Sequence, residues 1–315
     1  MSEKTGLVAV TSRSFSTHPL LRQQLQKEYI NVKFNESNEQ LTGEKLVNFL
    51  QGAEKAIIGL ELIDEILLAK LPDLKVICKM GTGIDKIDFK ALNQYNVAFT
   101  HTPGVNKRSV SELVLALVFT LLRHLPAINA NVKKDKWRQL RGTTLTGKVV
   151  GIIGFGAIGR DLAELLKGFN CQCLIYDVIE HNNLPPHVTQ INLEKLLMNS
   201  DIVTLHVPLT LNNYHFIDKP QLSKMKKGSI LINTARGGLI NEEALYEFLQ
   251  HNYLQAAALD VFETEPKVPL KLLQLDNFFA TSHIAGSTEE AILAMGLQAI
   301  EGLKVATIPK IENYA

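Results

Sequence analysis

The chain has 315 residues, a net charge of +1 and a hydrophobic content of 46%. That length exceeds one layer-built core and predicts two domains. So even a charge balance excludes a uniformly basic nucleic-acid face and an acidic tail, and no nucleic-acid partner is expected. The most apolar run, residues 113–122, is about half of what a bilayer demands and runs into Arg123 and His124, so it reads as a buried helix and no membrane span is expected. Residues 1–10 lack the long apolar core of a secretory signal, which predicts a cytoplasmic location. Cys78, Cys171 and Cys173 are odd in number, strand-like in context and not spaced as metal ligands. They are expected to be core thiols, with no metal site.

In chain order, residues 7–10, 56–59 and 74–78 read as strands and residues 20–28, 63–71 and 89–95 as helices between and after them. This alternation predicts a parallel sheet with covering helices. Residues 109–124 form an apolar helix and residues 133–138 a charged helical stretch, the two bridging the domains. A second α/β series follows, with strands at 148–153, 173–176, 202–205, 229–232, 256–259 and 278–280. After His283, an amphipathic helix over 288–303, carrying Ile292, Met295, Ala299 and Leu303 and capped by Ser287, is expected to return to the first domain.

The chemistry starts at residues 151–159, Gly-Ile-Ile-Gly-Phe-Gly-Ala-Ile-Gly, behind the strand 148–153. Gly154, Gly156 and Gly159 give a G-x-G-x-x-G turn, whose glycines permit a tight bend, approach of a pyrophosphate to bare backbone, and close packing of helix on strand. The helix N-terminus would receive the phosphates. Asp177 ends the next strand, where a carboxylate can grip both hydroxyls of an adenosine ribose. Strand, triplet, helix, strand and acid in that order predict a bound nicotinamide dinucleotide. Asp177 would repel a 2′-phosphate and neither Val178 nor Ile179 supplies an arginine, so NAD is expected over NADP.

Three polar residues follow strand-like runs of the second series. Arg236, succeeded by Gly237 and Gly238, offers a fork of donors suited to a carboxylate. His283 could exchange a hydroxyl proton, and Glu265 could orient it and favour its charged form. Oxidising a secondary alcohol beside a carboxylate needs an anchor, a base and a hydride acceptor, and these residues with a nicotinamide supply them.

Further motifs accompany these: Gly-Thr-Gly-Ile-Asp-Lys-Ile-Asp at 81–88, the segment 109–113, His206-Val207-Pro208, and the segments 233–238, 258–262 and 283–288. With them the chain resembles the D-isomer-specific 2-hydroxyacid dehydrogenases, most of all their phosphoglycerate dehydrogenase group. The resemblance implies a Rossmann-type doubly wound parallel sheet for an NAD domain, residues 102–286, and a smaller flavodoxin-like α/β substrate domain, residues 1–101 and 287–315. It also implies a homodimer formed through the bridging helices. By the same resemblance Arg236, Glu265 and His283 are the catalytic trio. Ala157 and Ile158 lie at the pyrophosphate turn, His206 and Thr234 belong to the cofactor site, and Asp260 meets the nicotinamide carboxamide. The backbone at Thr82 and Gly83 meets the substrate carboxylate.

Some positions depart from the family's pattern. Ser282 replaces a proline before the histidine, and Lys86 stands where asparagine is common. Glu61 follows Gly59 and Leu60 where some phosphoglycerate dehydrogenases carry a phosphate-binding arginine, and Gln139 stands near a partner-chain lysine of such enzymes. An unpaired Glu61 would repel a phosphate, although Arg138 and Arg141 could compensate. The expected activity is therefore NAD-dependent hydride transfer on a small D-2-hydroxy acid or 2-keto acid. The alternative is D-3-phosphoglycerate dehydrogenase, and the remote one an NAD-sensing corepressor, against which the intact trio argues.

Overall fold

The computed structural model describes residues 6–37 and 39–310. One parallel sheet is built from β1 (Val8–Val10), β2 (Val32–Phe34), β3 (Lys55–Ile58), β4 (Val76–Lys79) and β5 (Ala98–Thr100) in the order β2-β1-β3-β4-β5. The other is built from β6 (Val149–Ile153), β7 (Gln172–Tyr176), β8 (Val188–Gln190), β9 (Ile202–Leu205), β10 (Ile230–Asn233), β11 (Ala256–Leu259) and β12 (Phe278–Ala280). Its order is β12-β11-β10-β9-β6-β7-β8, again wholly parallel. Counted within each sheet, the first order is that of flavodoxin, and the second is the Rossmann order with one further edge strand. The expected fold class holds in both.

The chain divides into two compact units. One comprises the described residues through Asn106 together with those from Gly286, the other Lys107–Ala285. The first division falls where the helix Lys107–Leu122 begins, against an expected boundary after residue 101. Residues 1–5 and 311–315 of the expected substrate domain lie outside the described residues.

Parallel strands covered on both faces must be apolar throughout, and the alternation of side chains shows how each face is used. Val8 and Val10 of β1 and Ile57 of β3 join one core with Leu21, Leu25, Met295, Ala299 and Leu303, whereas Ala9, Ala56 and Ile58 face Leu46, Leu50 and Leu68 on the other side. In the second sheet Val150, Ile152 and Ile232 meet Leu117, Val118 and Leu162, while Ile153 and Leu231 meet Leu196, Leu245 and Leu249. The three cysteines are buried and free. Burial pushes the Cys173 thiol up to about 12 and raises the Cys78 thiol as well, so neither offers a thiolate.

Several boundaries differ from expectation. The helix after Lys107–Leu122 is Leu125–Val132, within the same unit, and residues 133–135 form a turn with Asp135 at φ 54°, so the helix expected over 133–138 is absent. Lys133, Lys134 and Lys136 with Asp135 leave that stretch no apolar face to bury. The final helix is Glu289–Val305, and its cap is Thr288 rather than Ser287, since Thr288 Oγ1 accepts the Ala291 N–H at 3.2 Å. Among the described residues no single helix is long and apolar enough to cross a membrane.

Candidate active site

The glycine turn leaves β6 at the point where the Rossmann order reverses, between β6 and β9. Gly154 has φ 93° and gives its N–H to Tyr176 O at 2.8 Å, and a Cβ there would stand 2.6 Å from His206 O. At Gly159 a Cβ would stand 2.3 Å from Gly154 O, so both positions exclude any side chain. Gly156, the cap of helix Ala157–Lys167, is different: nothing lies within 4 Å of where its Cβ would be. Open space over a bare backbone, followed by the unpaired amides of a helix start at Ala157 and Ile158, forms an anion cradle.

Asp177 stands just beyond β7. Its Oδ2 accepts the Phe155 N–H at 2.7 Å and its Oδ1 the Ile179 N–H at 3.1 Å, while His181 Nε2 lies 3.1 Å from Oδ2. Burial alone would raise this carboxyl. The two amides and the imidazole outweigh it and hold the group below the usual carboxylate range.

His206 and Thr234 follow the carboxyl ends of β9 and β10. The His206 ring shares Nε2 with Thr204 Oγ1 at 3.0 Å, and burial pushes its pKa down to about 3, so it is neutral. Its Nδ1 and the Thr234 Oγ1 are both buried without a hydrogen-bond partner. Leaving such atoms unpaired costs about 1–3 kcal/mol each. Polar atoms kept unpaired at a sheet's carboxyl edge, beside a side-chain-free anion cradle, fit a dinucleotide.

Arg236 lies in a turn shaped by the buried Asn233, whose Nδ2 donates to Arg236 O at 2.8 Å and whose Oδ1 accepts the Ala235 N–H at 2.9 Å. The guanidinium donates through Nη1 to Ala235 O at 2.7 Å. A Cβ on Gly237 would fall 1.9 Å from Phe262 O, so this turn is pressed against the loop that carries Glu265. Glu265 Oε1 accepts the Phe262 N–H at 3.1 Å, and Oε2 lies 2.9 Å from His283 Nδ1. The Arg236 turn therefore abuts the loop whose Glu265 meets His283.

Asp260 is fully buried and engaged by the protein itself. Its Oδ1 accepts from Thr281 Oγ1 at 2.6 Å and Ile284 N at 2.8 Å, and its Oδ2 from Ala285 N at 2.9 Å. It braces the segment bearing His283 from both sides. Thr82 and Gly83 lie half-buried in the other unit, after β4.

Glu61 requires a correction. It is only 3% exposed, and its Oε2 accepts the Gly59 N–H at 2.5 Å. A two-residue span lets the side chain fold back on the backbone, so the unpaired carboxylate expected to repel a phosphate is absent. Arg138 and Arg141 are exposed. Sequence reasoning missed Thr204, Thr281, Arg160 and His181. His181 stands four residues after Asp177, but nothing in the pattern there distinguishes it from a loop histidine.

The family model for the NAD-binding domain of D-isomer specific 2-hydroxyacid dehydrogenases matches residues 115–285. A hydroxypyruvate reductase of Thermotoga maritima is 40% identical over 235 residues, 73% of this chain and 76% of that protein. A D-3-phosphoglycerate dehydrogenase of Methanocaldococcus jannaschii is 36% identical over 275 residues, 84% of this chain but 52% of that protein, so the match spans about half the relative's length. Among solved structures, D-lactate dehydrogenase of Aquifex aeolicus, complexed with NAD and lactic acid, superposes with a TM-score of 0.81 at 30% identity, covering 95% of this chain and 94% of that one.

Proposed function

This chain belongs to the D-isomer-specific 2-hydroxyacid dehydrogenase family, and from that premise we propose that it is an NAD-dependent oxidoreductase interconverting a small D-2-hydroxy acid and its 2-keto acid. The observation that carries the reading is the 2.9 Å contact between Glu265 Oε2 and His283 Nδ1, beside the Arg236 turn. Nicotinamide dinucleotide, when bound, supplies the hydride acceptor in oxidation and the donor in reduction.

The chain's own residues do the rest. Arg236 binds the substrate carboxylate through its planar fork. Glu265 accepts a hydrogen bond from the Nδ1–H of His283 and so fixes the ring with Nε2 towards the reacting oxygen. Nε2 gives a proton to the keto oxygen in reduction and takes the hydroxyl proton in oxidation. His206, kept neutral by burial, and Thr234 present their unpaired atoms to the cofactor, and Asp177 receives the adenosine ribose.

Glyoxylate and hydroxypyruvate, named in several relatives, are the first substrates to test. Phosphohydroxypyruvate stands as the second reading, because the Glu61 carboxylate is buried and folded back onto the Gly59 amide rather than standing unpaired. A screen of these acids by NADH oxidation decides between them. At least tenfold higher kcat/KM for the unphosphorylated acids supports the first reading, and a reversed ratio supports the second.

A homodimer belongs to the same proposal. No residue of the helix Leu125–Val132 is buried, Leu125 and Val132 are about half exposed, and Trp137 beyond it is 86% exposed. An apolar surface of this kind on a single chain suits a second copy of itself.

A further inference from the structure

Three side chains beside the glycine turn line up in a way that binding a ribose does not require. The Arg160 guanidinium lies 4.9 Å over the centroid of the Phe155 ring, with Nη2 2.9 Å from His181 Nδ1. The other nitrogen of that imidazole, Nε2, lies 3.1 Å from Asp177 Oδ2 but out of line for a hydrogen bond, and it is buried without a hydrogen-bond partner. The His181 side chain is only 9% exposed and packs edge-on against Phe155 with centroids 5.4 Å apart. Its backbone N–H donates to Gln190 Oε1 at 2.9 Å, and Gln190 Nε2 donates to Ile179 O at 2.8 Å. The imidazole is thus fixed between a guanidinium and the carboxylate assigned to the ribose.

Arginine has donors and no acceptor. An Arg160 N–H directed at Nδ1 therefore needs a lone pair there, which leaves the neutral ring's proton on Nε2, on the side of the ring nearer Asp177. Protonation of the ring puts a second N–H on Nδ1 and sets donor against donor. The Arg160 contact breaks, the guanidinium is freed from the ring, and the three side chains gain one positive charge. The charged groups around His181 are Arg160 and Asp177, with Glu180 preceding it in the chain.

We propose that Arg160 and His181 form a pH-gated receptor for a phosphate on the 2′-oxygen of the adenosine ribose, which lets this chain bind 2′-phosphorylated dinucleotide in acid while preferring the unphosphorylated form at neutral pH. The proposal rests on the reading of Asp177 as the ribose ligand. With His181 neutral, Arg160 is engaged by the ring and Asp177 faces a phosphate as a like charge. With His181 charged, the imidazolium offsets Asp177, and Arg160 is free to take the phosphate through its fork. The arginine that residues 178 and 179 do not provide comes instead from the helix Ala157–Lys167.

The test is calorimetric titration of the full chain with ADP and with 2′,5′-ADP from about pH 8.5 to about pH 5.5. The wild type is compared with His181→Asn, Arg160→Gln and Asp177→Asn. In the wild type the affinity for 2′,5′-ADP relative to ADP should rise about tenfold or more on acidification. His181→Asn should keep only the smaller change due to the phosphate's own ionisation near pH 6. Arg160→Gln should weaken 2′,5′-ADP about tenfold in acid and leave ADP unchanged. If wild type and His181→Asn follow the same curve, or Arg160→Gln binds 2′,5′-ADP as the wild type does, the proposal is overturned. In that event a changed ADP affinity in Asp177→Asn leaves the ribose assignment standing, and an unchanged one removes that assignment too.

Discussion

His283 holds a left-handed backbone, φ 56°, a conformation that costs a non-glycine residue about 1–2 kcal/mol. It is kept there by its own N–H, donated to Asp260 O at 2.8 Å, and by the Asp260 carboxylate gripping the next two amides. A histidine held in this way against Glu265 should be dispensable for binding and needed for chemistry. His283→Ala is expected to lower turnover by about 10²–10⁴ while leaving NADH affinity, read by fluorescence titration, nearly intact. His283→Asn, which tolerates the left-handed region, should behave alike; loss of NADH binding in both would make the residue structural. Arg236, Glu265 and His283 stood out in the sequence because each follows a strand-like run that ends in the crevice. The bracing role of Asp260 was not legible, since its partners are Thr281 and two backbone amides, and an amide leaves no mark in an amino-acid string.

At the scale of elements, the glycine turn separates two effects that sequence assigns to one motif. Gly159→Ala should cost about 1–3 kcal/mol of stability, because the added methyl meets the Gly154 carbonyl where helix and strand are pressed together. Gly156→Ala faces open space, so it should fold with a wild-type Tm and lose dinucleotide affinity by tenfold or more. Equal Tm losses in the two variants would refute the division. Asp201 supplies an element-level dependence on pH. It joins β6 to β9 by accepting the Val149 N–H at 2.9 Å and pairs with Lys226 Nζ at 2.7 Å. Burial alone would raise its carboxyl, but Lys226 and the Val149 amide hold it below the ordinary range. Its contribution to stability is therefore complete above the unfolded-state pKa of about 3.9 and disappears as the pH falls through the lower folded value. Asp201→Asn should lower Tm by about 2–4 °C at neutral pH, and the gap to wild type should close in acid. The strands most visible in sequence, such as β9, β11 and β12, are short apolar runs. β2, β5 and β8 were not legible: each is as short as β12 but carries a polar residue, and Val32-Lys33-Phe34 or Val188-Thr189-Gln190 is too brief and too polar to show a period.

At the scale of the whole molecule, self-association is open to direct measurement. Sedimentation should give a dimer, and replacing Leu125 and Val132 together with glutamate should give a folded monomer, because like charges would then face each other across a symmetric contact. A wild-type monomer at micromolar concentration would dismiss the assignment of that surface. The alternation of strand and helix anticipated parallel sheets with covering helices, since parallel strands need crossovers, while the doubly wound and flavodoxin-like arrangements were implied by the family resemblance. What alternation could not supply was the inward turn of Glu61, a rotamer decided by one backbone amide. The return of the helix Glu289–Val305 to the first unit has a consequence in time. Met295, Ala299 and Leu303 complete a core begun by Val8, Val10 and Leu21, and the whole Lys107–Ala285 unit lies between these two contributions. At about 5–20 residues per second, roughly 180 residues take the ribosome some ten to forty seconds to add. For that interval the apolar face of Leu21 and Leu25 waits uncovered on the nascent chain, so the segment made first is among the last to finish folding.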